Sequence, residues 1–354
     1  MRRRRIWVIV GVLVAALLVL LAVFLRKRAA PEVARLLPDS EAVLYVNLSS
    51  FRLVSDFGAS PMTVSHEPEY AKFIQETGIQ FERDLEEAAI AVHPAEPTLS
   101  PDGKTQVMQR RFSEIFKARF DTNRLNHYLH KLSSGVERYQ SSDIFTIPYE
   151  GRIVRVAILG VDAVAASNVS DASVIRGMID RHRKIALPFV GQPLLQEHYR
   201  DVPLGSSAWA IAALSSPDGK GMALPLPGGV EFQLPAKTVT VASLRYLGSI
   251  QFRAEAFTAN EADAQRLAES LSNFLNLFRS LESSVQTSGA DADVKKFFDS
   301  IQVDRKETRA VLTAELPLGF IKKAFSESPK AETKVEAPSK AAEAEKVSGK
   351  KKKK

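Results

Sequence analysis

The chain has 354 residues with 48 Lys and Arg, 41 Asp and Glu and no Cys, which excludes disulfides, thiolate chemistry and Cys-based zinc sites. Its net charge of +7 sits at the ends: residues 1–28 carry seven basic groups and residues 327–354 nine Lys and five Glu, leaving 32 basic against 36 acidic side chains for 29–326. The high pI therefore marks no nucleic-acid binder, and no specific nucleic-acid binding is expected.

The apolar run from Ile6 to Leu25 holds 20 residues without charge or Pro, 15 of them Ile, Val, Leu or Phe. As a helix it spans about 30 Å, the thickness of a bilayer's hydrocarbon core. The run is longer than a signal-peptide core. Arg26-Lys27-Arg28 also stands where a cleavage site should be small and neutral. The expectation is an uncleaved single-pass anchor whose partner is the lipid bilayer. Four Arg and the α-amine before the run outweigh three cations after it, which predicts the N-terminus inside and the body outside the cytoplasm. The expected location is the inner membrane of a bacterial envelope.

Residues 31–38 read as a juxtamembrane link and residues 42–48 as a strand. Tyr70, Phe73 and Ile74, between Pro68 and Gly78, have helical spacing. Residues 88–93 read as a second strand and 94–106 as a turn-rich loop. Residues 114–120 alternate Phe116, Ala118 and Phe120 with Lys117 and Arg119, the pattern of a half-buried strand. Asp121 then caps a helix with Leu125, Tyr128, Leu129 and Leu132 on one stripe. Residues 143–148 and 152–159 read as strands, the second turning at Gly160-Val161-Asp162 into 163–167. Ser170 is expected to cap a helix presenting Val174, Ile175, Met178 and Ile179.

A second half begins near residue 201. Residues 208–214, 238–247 and 250–257 read as strands, the last two joined at Gly248-Ser249. Thr258-Ala259-Asn260-Glu261 matches a capping box and opens a helix whose apolar stripe is Ala264, Leu267, Leu271, Phe274, Phe278 and Leu281. Residues 285–292 are polar and loose. A short helix at 294–300, a strand pair at 301–303 and 309–316, and a last short helix at 320–325 follow. Met222 to Pro235 is apolar but broken by Pro and Gly, so no regular core element is expected there, only a loop over the body or a partner-contacting flap. Residues 326–354, ending in Lys350 to Lys354, cannot bury a core and are expected to be disordered, with a possible anionic surface or envelope protein as partner.

Two stretches rhyme across the halves. Pro101-Asp102-Gly103 recurs as Pro217-Asp218-Gly219, and Phe116 to Phe120 before a capped helix recurs as Phe252 to Phe257. A duplicated α+β body with a mostly antiparallel sheet would explain both, although Pro-Asp-Gly is also a stock turn. The expected division is 1–28 anchor, 29–200 first half, 201–325 second half and 326–354 tail.

Leu37-Pro38-Asp39-Ser40-Glu41-Ala42-Val43-Leu44-Tyr45 after an N-terminal membrane helix, and the strand-to-helix run Arg119-Phe120-Asp121, resemble bacterial membrane-anchored proteins of the DUF3352 kind. That resemblance implies an α+β extracytoplasmic body and carries no catalytic residues.

Candidate chemistry is sparse. His127 and His130 have the i, i+3 spacing of a shared metal site, but the core stripe points them outward and no third ligand is in view. His182 between Arg181 and Arg183 reads as a basic helix end. His66, His93 and His198 show no partner, Gly219-Lys220-Gly221 is no phosphate loop, Ser100 and Ser216 lie in turns, and Glu86-Glu87 reads as surface charge. No residue is assigned a catalytic, cofactor-binding or metal-ligating role. The leading expectation is a non-enzymatic binding or scaffold body, and the alternative is an envelope hydrolase whose site forms only on folding.

Overall fold

A computed structural model describes residues 29–54, 68–99, 106–149, 151–184, 192–213, 221–226, 230–284 and 292–317. The chain forms α1 (Glu32–Arg35), β1 (Ala42–Asn47), α2 (Leu48–Val54), α3 (Pro68–Thr77), α4 (Phe81–Asp84), β2 (Leu85–Leu99), β3 (Gln106–Ala118) and α5 (Thr122–Leu132). Then come β4 (Gly135–Tyr139), β5 (Ser142–Tyr149), β6 (Arg152–Leu159), β7 (Ala163–Ser167), α6 (Ser173–Arg183), α7 (Pro193–His198) and β8 (Ser206–Ala212). The hairpin β9 (Met222–Leu226) and β10 (Val230–Leu234) precedes β11 (Val239–Tyr246), β12 (Ile250–Phe257), α8 (Glu261–Ser284), α9 (Ala292–Ser300), β13 (Gln302–Lys306) and β14 (Arg309–Leu316).

Twelve strands make one sheet in the order β13-β14-β12-β11-β8-β1-β2-β3-β7-β6-β5-β4, with every neighbouring pair antiparallel. The α+β class and mostly antiparallel sheet are as expected. From the central β1–β8 pair, β1-β2-β3 and then α5 run one way, and β8-β11-β12 and then α8 run the other.

Alternation along the strands gives the sheet two faces of different character. On one, Val43, Tyr45, Ala89, Ile115, Ala165, Trp209 and Ile211 are buried under Leu36, Leu37, Ile175, Met178, Ile179 and Leu195, which come from the segment after α1, from α6 and from α7. Burying each large aliphatic side chain is worth about 1.5–3 kcal/mol. On the opposite face, the hydrophobic clusters among the described residues lie toward its two edges. Leu125 and Leu129 of α5 lie on Phe145, Val156 and Ile158, and Leu275 of α8 with Phe297 and Phe298 of α9 lies on Ala314, Phe252 and Leu312.

Several expectations need correction. Residues 31–38 are no loose link: Val33, Ala34, Leu36 and Leu37 are among the most buried side chains, and Arg181 Nε donates to the Leu36 carbonyl at 2.7 Å. Residues 94–99 are not loop but the end of β2, which continues past a bulge between His93 and Glu96. β3 starts earlier than expected and ends at Ala118, and β4 was not anticipated at all. Leu132 is exposed rather than part of the α5 stripe. Ser170 does not cap α6; Asp171 Oδ1 accepts from Ser173 N instead, while Ser170 Oγ donates to Glu96. The capping box fails too: Asn260 Oδ1 accepts from Asp263 N, and Thr258 Oγ1 donates to the Asn260 and Thr308 carbonyls. The Met222–Leu226 and Val230–Leu234 segments form a regular two-stranded ladder, in which Pro225 stands opposite Glu231.

Among the described residues no helix is long and apolar enough to cross a membrane. The run from Ile6 to Leu25, the segments 285–291 and 320–325 and the Lys-rich tail all lie outside them.

Candidate functional site

The incompletely covered face can be followed residue by residue, because the register is known in every ladder. One row of directly opposed residues crosses all twelve strands: Val303, Leu312, Ala254, Ala242, Ala210, Leu44, Ile90, Glu114, Ala166, Val156, Phe145 and Val136. Eleven of these are apolar and one is a carboxylate.

The ends of the row lie under α8 and α9 and under α5. Its middle, from Ala254 to Ala166, belongs to none of the hydrophobic clusters. Seven strands at about 4.8 Å spacing make this stretch about 29 Å wide. The neighbouring rows are Ala256, Thr240, Ala212, Ala42, Val92 and Phe112 on one side, and Phe252, Leu244, Ala208, Val46, Ala88 and Phe116 on the other. Alanine predominates, so the floor is low. Leu44, on a central strand where a large aliphatic side chain is ordinarily covered, is 42% exposed.

Glu114 is the one charged side chain among these positions. It stands between Phe112 and Phe116 on its own strand, opposite Ile90 and Ala166. It is half-buried, and among the described residues no hydrogen bond or ion pair reaches its carboxyl. Desolvation alone pushes that carboxyl above the ordinary carboxylate range. Sequence reasoning missed it, although the alternation Phe112-x-Glu114-x-Phe116 puts a carboxylate on an apolar face and was the available signal.

The opposite face holds the arrangement closest to nucleophilic chemistry. His93 Nε2 lies 2.8 Å from Ser113 Oγ, and Ser113 Oγ lies 2.9 Å from Ser167 Oγ. His93 also hydrogen-bonds the Asp39 backbone; burial holds its basicity below the ordinary value, against that bond and the nearby Glu96 and Glu41. With one ring nitrogen donating to a carbonyl, Nε2 of the neutral ring accepts from Ser113. Ser113 is 0% exposed and Ser167 4%, so no substrate carbonyl can approach either hydroxyl. The chain of three polar groups closes its own hydrogen bonds inside the core.

The remaining candidates are dispersed. His127 and His130 are exposed, His130 packing edge-on against Phe145, and no group of three metal-ligating side chains occurs among the described residues. His182 and Arg183 line a cleft of about 550 Å³ with Thr122, Asn126, Arg138 and Asp143, where Arg138 is already paired with Asp143 at 2.7 Å. His198 packs on Phe257 beside Asp201. Glu86 is a surface partner of Arg119, whereas Glu87 is no surface charge: it accepts from Tyr45 Oη at 3.2 Å, and desolvation pushes its carboxyl up. His66, Ser100 and Ser216 lie outside the described residues.

No protein-family model and no curated protein sequence matches the chain. Among solved structures it is similar to crystal forms III, IV and I of TP0453. The TM-scores are 0.46, 0.42 and 0.41 at 10%, 9% and 11% identity, covering 84%, 83% and 84% of this chain and 99%, 96% and 98% of those chains. Similarity at this level carries no argument about function.

Proposed function

We propose that the chain is a single-pass, membrane-anchored envelope protein whose α+β body is a non-enzymatic binding module, with the open middle of the sheet as its binding face. The observation that supports this reading is Leu44, 42% exposed at the centre of an apolar row. Leaving such a face in water forgoes about 25 cal/mol for each Å² that an apolar occupant would cover. Composition supports the anchor: insertion of Ile6 to Leu25 gains on the order of 5–9 kcal/mol. The cysteine-free sequence offers a direct test of orientation. Val161, 79% exposed on a turn, is changed to Cys and offered a membrane-impermeant maleimide on intact cells stripped of their outer barrier. Labelling is expected; labelling only after lysis would place the body in the cytoplasm.

The binding face is tested with a neutral alkyl alcohol carrying a benzophenone, photolysed with the full chain in phosphatidylcholine nanodiscs. Saturable adducts are expected on Ala42–Asn47, Leu85–Leu99 and Ser206–Ala212 and are lost in Leu44→Glu. Adducts confined to residues 6–25 would refute the reading.

The body also fits a duplication in which β1-β2-β3-α5 corresponds to β8-β11-β12-α8. This pairs Phe116 and Phe252, which lie on the same face. It does not pair the two Pro-Asp-Gly turns, which follow β2 and β8 and lie outside the described residues. A superposition of the two units no better than that of unrelated strand–helix segments would dismiss it. The hydrolase alternative is favoured only by the His93–Ser113 contact, and the sealed position of Ser113 argues against it.

A further inference from the structure

The open face carries one group that no apolar occupant would satisfy. The other carboxylates that the strands withdraw from water have donors: Glu87 has Tyr45, Glu96 has Arg111 and Ser170, and Glu255 has Arg253 and Arg309. Glu114 has none among the described residues, and its immediate surroundings, Phe112, Phe116, Ile90 and Ala166, can supply none. A carboxylate in such surroundings is matched by a cation or a strong donor brought by whatever covers it.

The geometry also limits the size and shape of the occupant. From Glu114 through Ile90 and Leu44 to Ala210 the row advances three strands, about 14 Å. One leaflet of a bilayer's hydrocarbon is about 15 Å, half of its ~30 Å core, so a single extended alkyl chain spans this stretch. Beyond Leu44 the floor continues over Ala210 and Ala242 without a barrier of large side chains.

Building on the binding-face reading, we propose that the row is a track for a single-chain amphiphile bearing a protonated amine. The ammonium pairs with the Glu114 carboxylate, and the chain lies over Ile90, Leu44 and the alanines beyond. Glu114 is then a specificity-determining residue that selects cationic over anionic amphiphiles. The chain supplies the affinity and the carboxylate the discrimination. A charge-assisted contact at a half-exposed position is worth about tenfold in affinity.

The test uses the full chain in phosphatidylcholine nanodiscs with three benzophenone-bearing alkyl probes of equal length, ending in an ammonium, a hydroxyl and a carboxylate. Saturable adducts on Ala42–Asn47, Leu85–Leu99 and Gln106–Ala118 are quantified by mass spectrometry. The ammonium probe is expected to half-saturate at about a tenfold lower concentration than the carboxylate probe, with the hydroxyl between. Glu114→Gln should bring the three together while labelling persists. If all three label the face alike in the natural chain, the face binds apolar matter but Glu114 does not select, and this inference is overturned. The same holds if Glu114→Gln leaves the ammonium preference intact. If no probe labels the face saturably, the binding-face reading itself fails. Trp209 fluorescence, set by its packing on Tyr45 and Tyr199, shows that a variant has folded.

Discussion

Replacing Glu114 by Leu should stabilise the protein, and the gain should depend on pH. The side chain stands in an apolar row with no hydrogen-bond donor around it. An uncompensated polar group costs about 1–3 kcal/mol, and a half-buried one belongs at the lower end of that range. Leu at this position also continues the apolar row between Ile90 and Ala166. The expected gain at pH 7 is about 1–2 kcal/mol, or about 2–6 °C in Tm for a body of this size.

The sign of the pH dependence follows from linkage. Desolvation raises the carboxyl above its ordinary value of 4.5, so in the window above that value the native state holds a proton the unfolded state has lost. Stability from this group is therefore fully present below about 4.5 and falls as the pH climbs through the raised native value. No titratable side chain stands directly beside or opposite Glu114 to confuse the assignment: its neighbours are Phe112, Phe116, Ile90 and Ala166. Thermal unfolding of the full chain in nanodiscs, followed by Trp209, which stacks on Tyr45 at 5.3 Å, provides the assay. The Leu variant should melt above the natural chain at pH 7, with the gap closing toward pH 4.5. A variant that melts lower at pH 7, or by the same margin at both pH values, would show that Glu114 is satisfied in the fold and that the reasoning about the face is mistaken.

Three further outcomes are expected. Leu37→Ala should lower stability by about 2–5 kcal/mol in denaturant titrations, because Leu37 is 0% exposed; no change would mean that residues 31–38 are a tether after all. Ser113→Ala leaves His93 and Ser167 short of a partner and should cost about 1–3 kcal/mol in the same titration. It should alter no ester or amide hydrolysis, and a hydrolytic activity that disappears with Ser113 would instead establish the enzyme alternative. Asn260→Ala should shift the unfolding midpoint by about 1 kcal/mol, since Asn260 caps α8, whereas Glu261→Ala should shift it much less; equal effects would reinstate the capping box.

Local patterns in the sequence located most elements because each depends on a few neighbours. Gly78, at φ +78°, stops α3 where expected, and the turn at Gly160 joins β6 to β7 as read. Two kinds of feature escaped. Pro94 and Pro97 suggested a loop, but the bulge between His93 and Glu96 takes up Pro94 and the ladder resumes beyond it. The sheet order depends on contacts far apart in sequence: β1 lies between β2 and β8, with Tyr45 opposite both Ala89 and Trp209, and nothing near residue 45 specifies Trp209. The same distance hid the burial of Leu36 and Leu37, whose partners in α6 lie some 140 residues away.

Glu114 was legible in a different sense, since its strand declares it. The run Phe112 to Ala118 sorts Phe112, Phe116 and Ala118 to one face and Ser113, Ile115 and Lys117 to the other, and Glu114 falls with the phenylalanines. Only the register showed that the misplaced charge lies two strands from an exposed Leu44, on a stretch that belongs to no hydrophobic cluster among the described residues. Neither residue would mean much alone: exposed leucines are common, and a stray carboxylate can find a donor. Together they make one surface that is apolar, open and singly charged. A sheet selected only for stability would place an apolar side chain at position 114, as it does at the other eleven positions of the row. Retaining Glu there costs part of the stability the Leu variant should gain, and a ligand that supplies the missing donor would offset that cost on binding. The stability gain of Glu114→Leu and the ligand preference lost in Glu114→Gln both trace to one unsatisfied group.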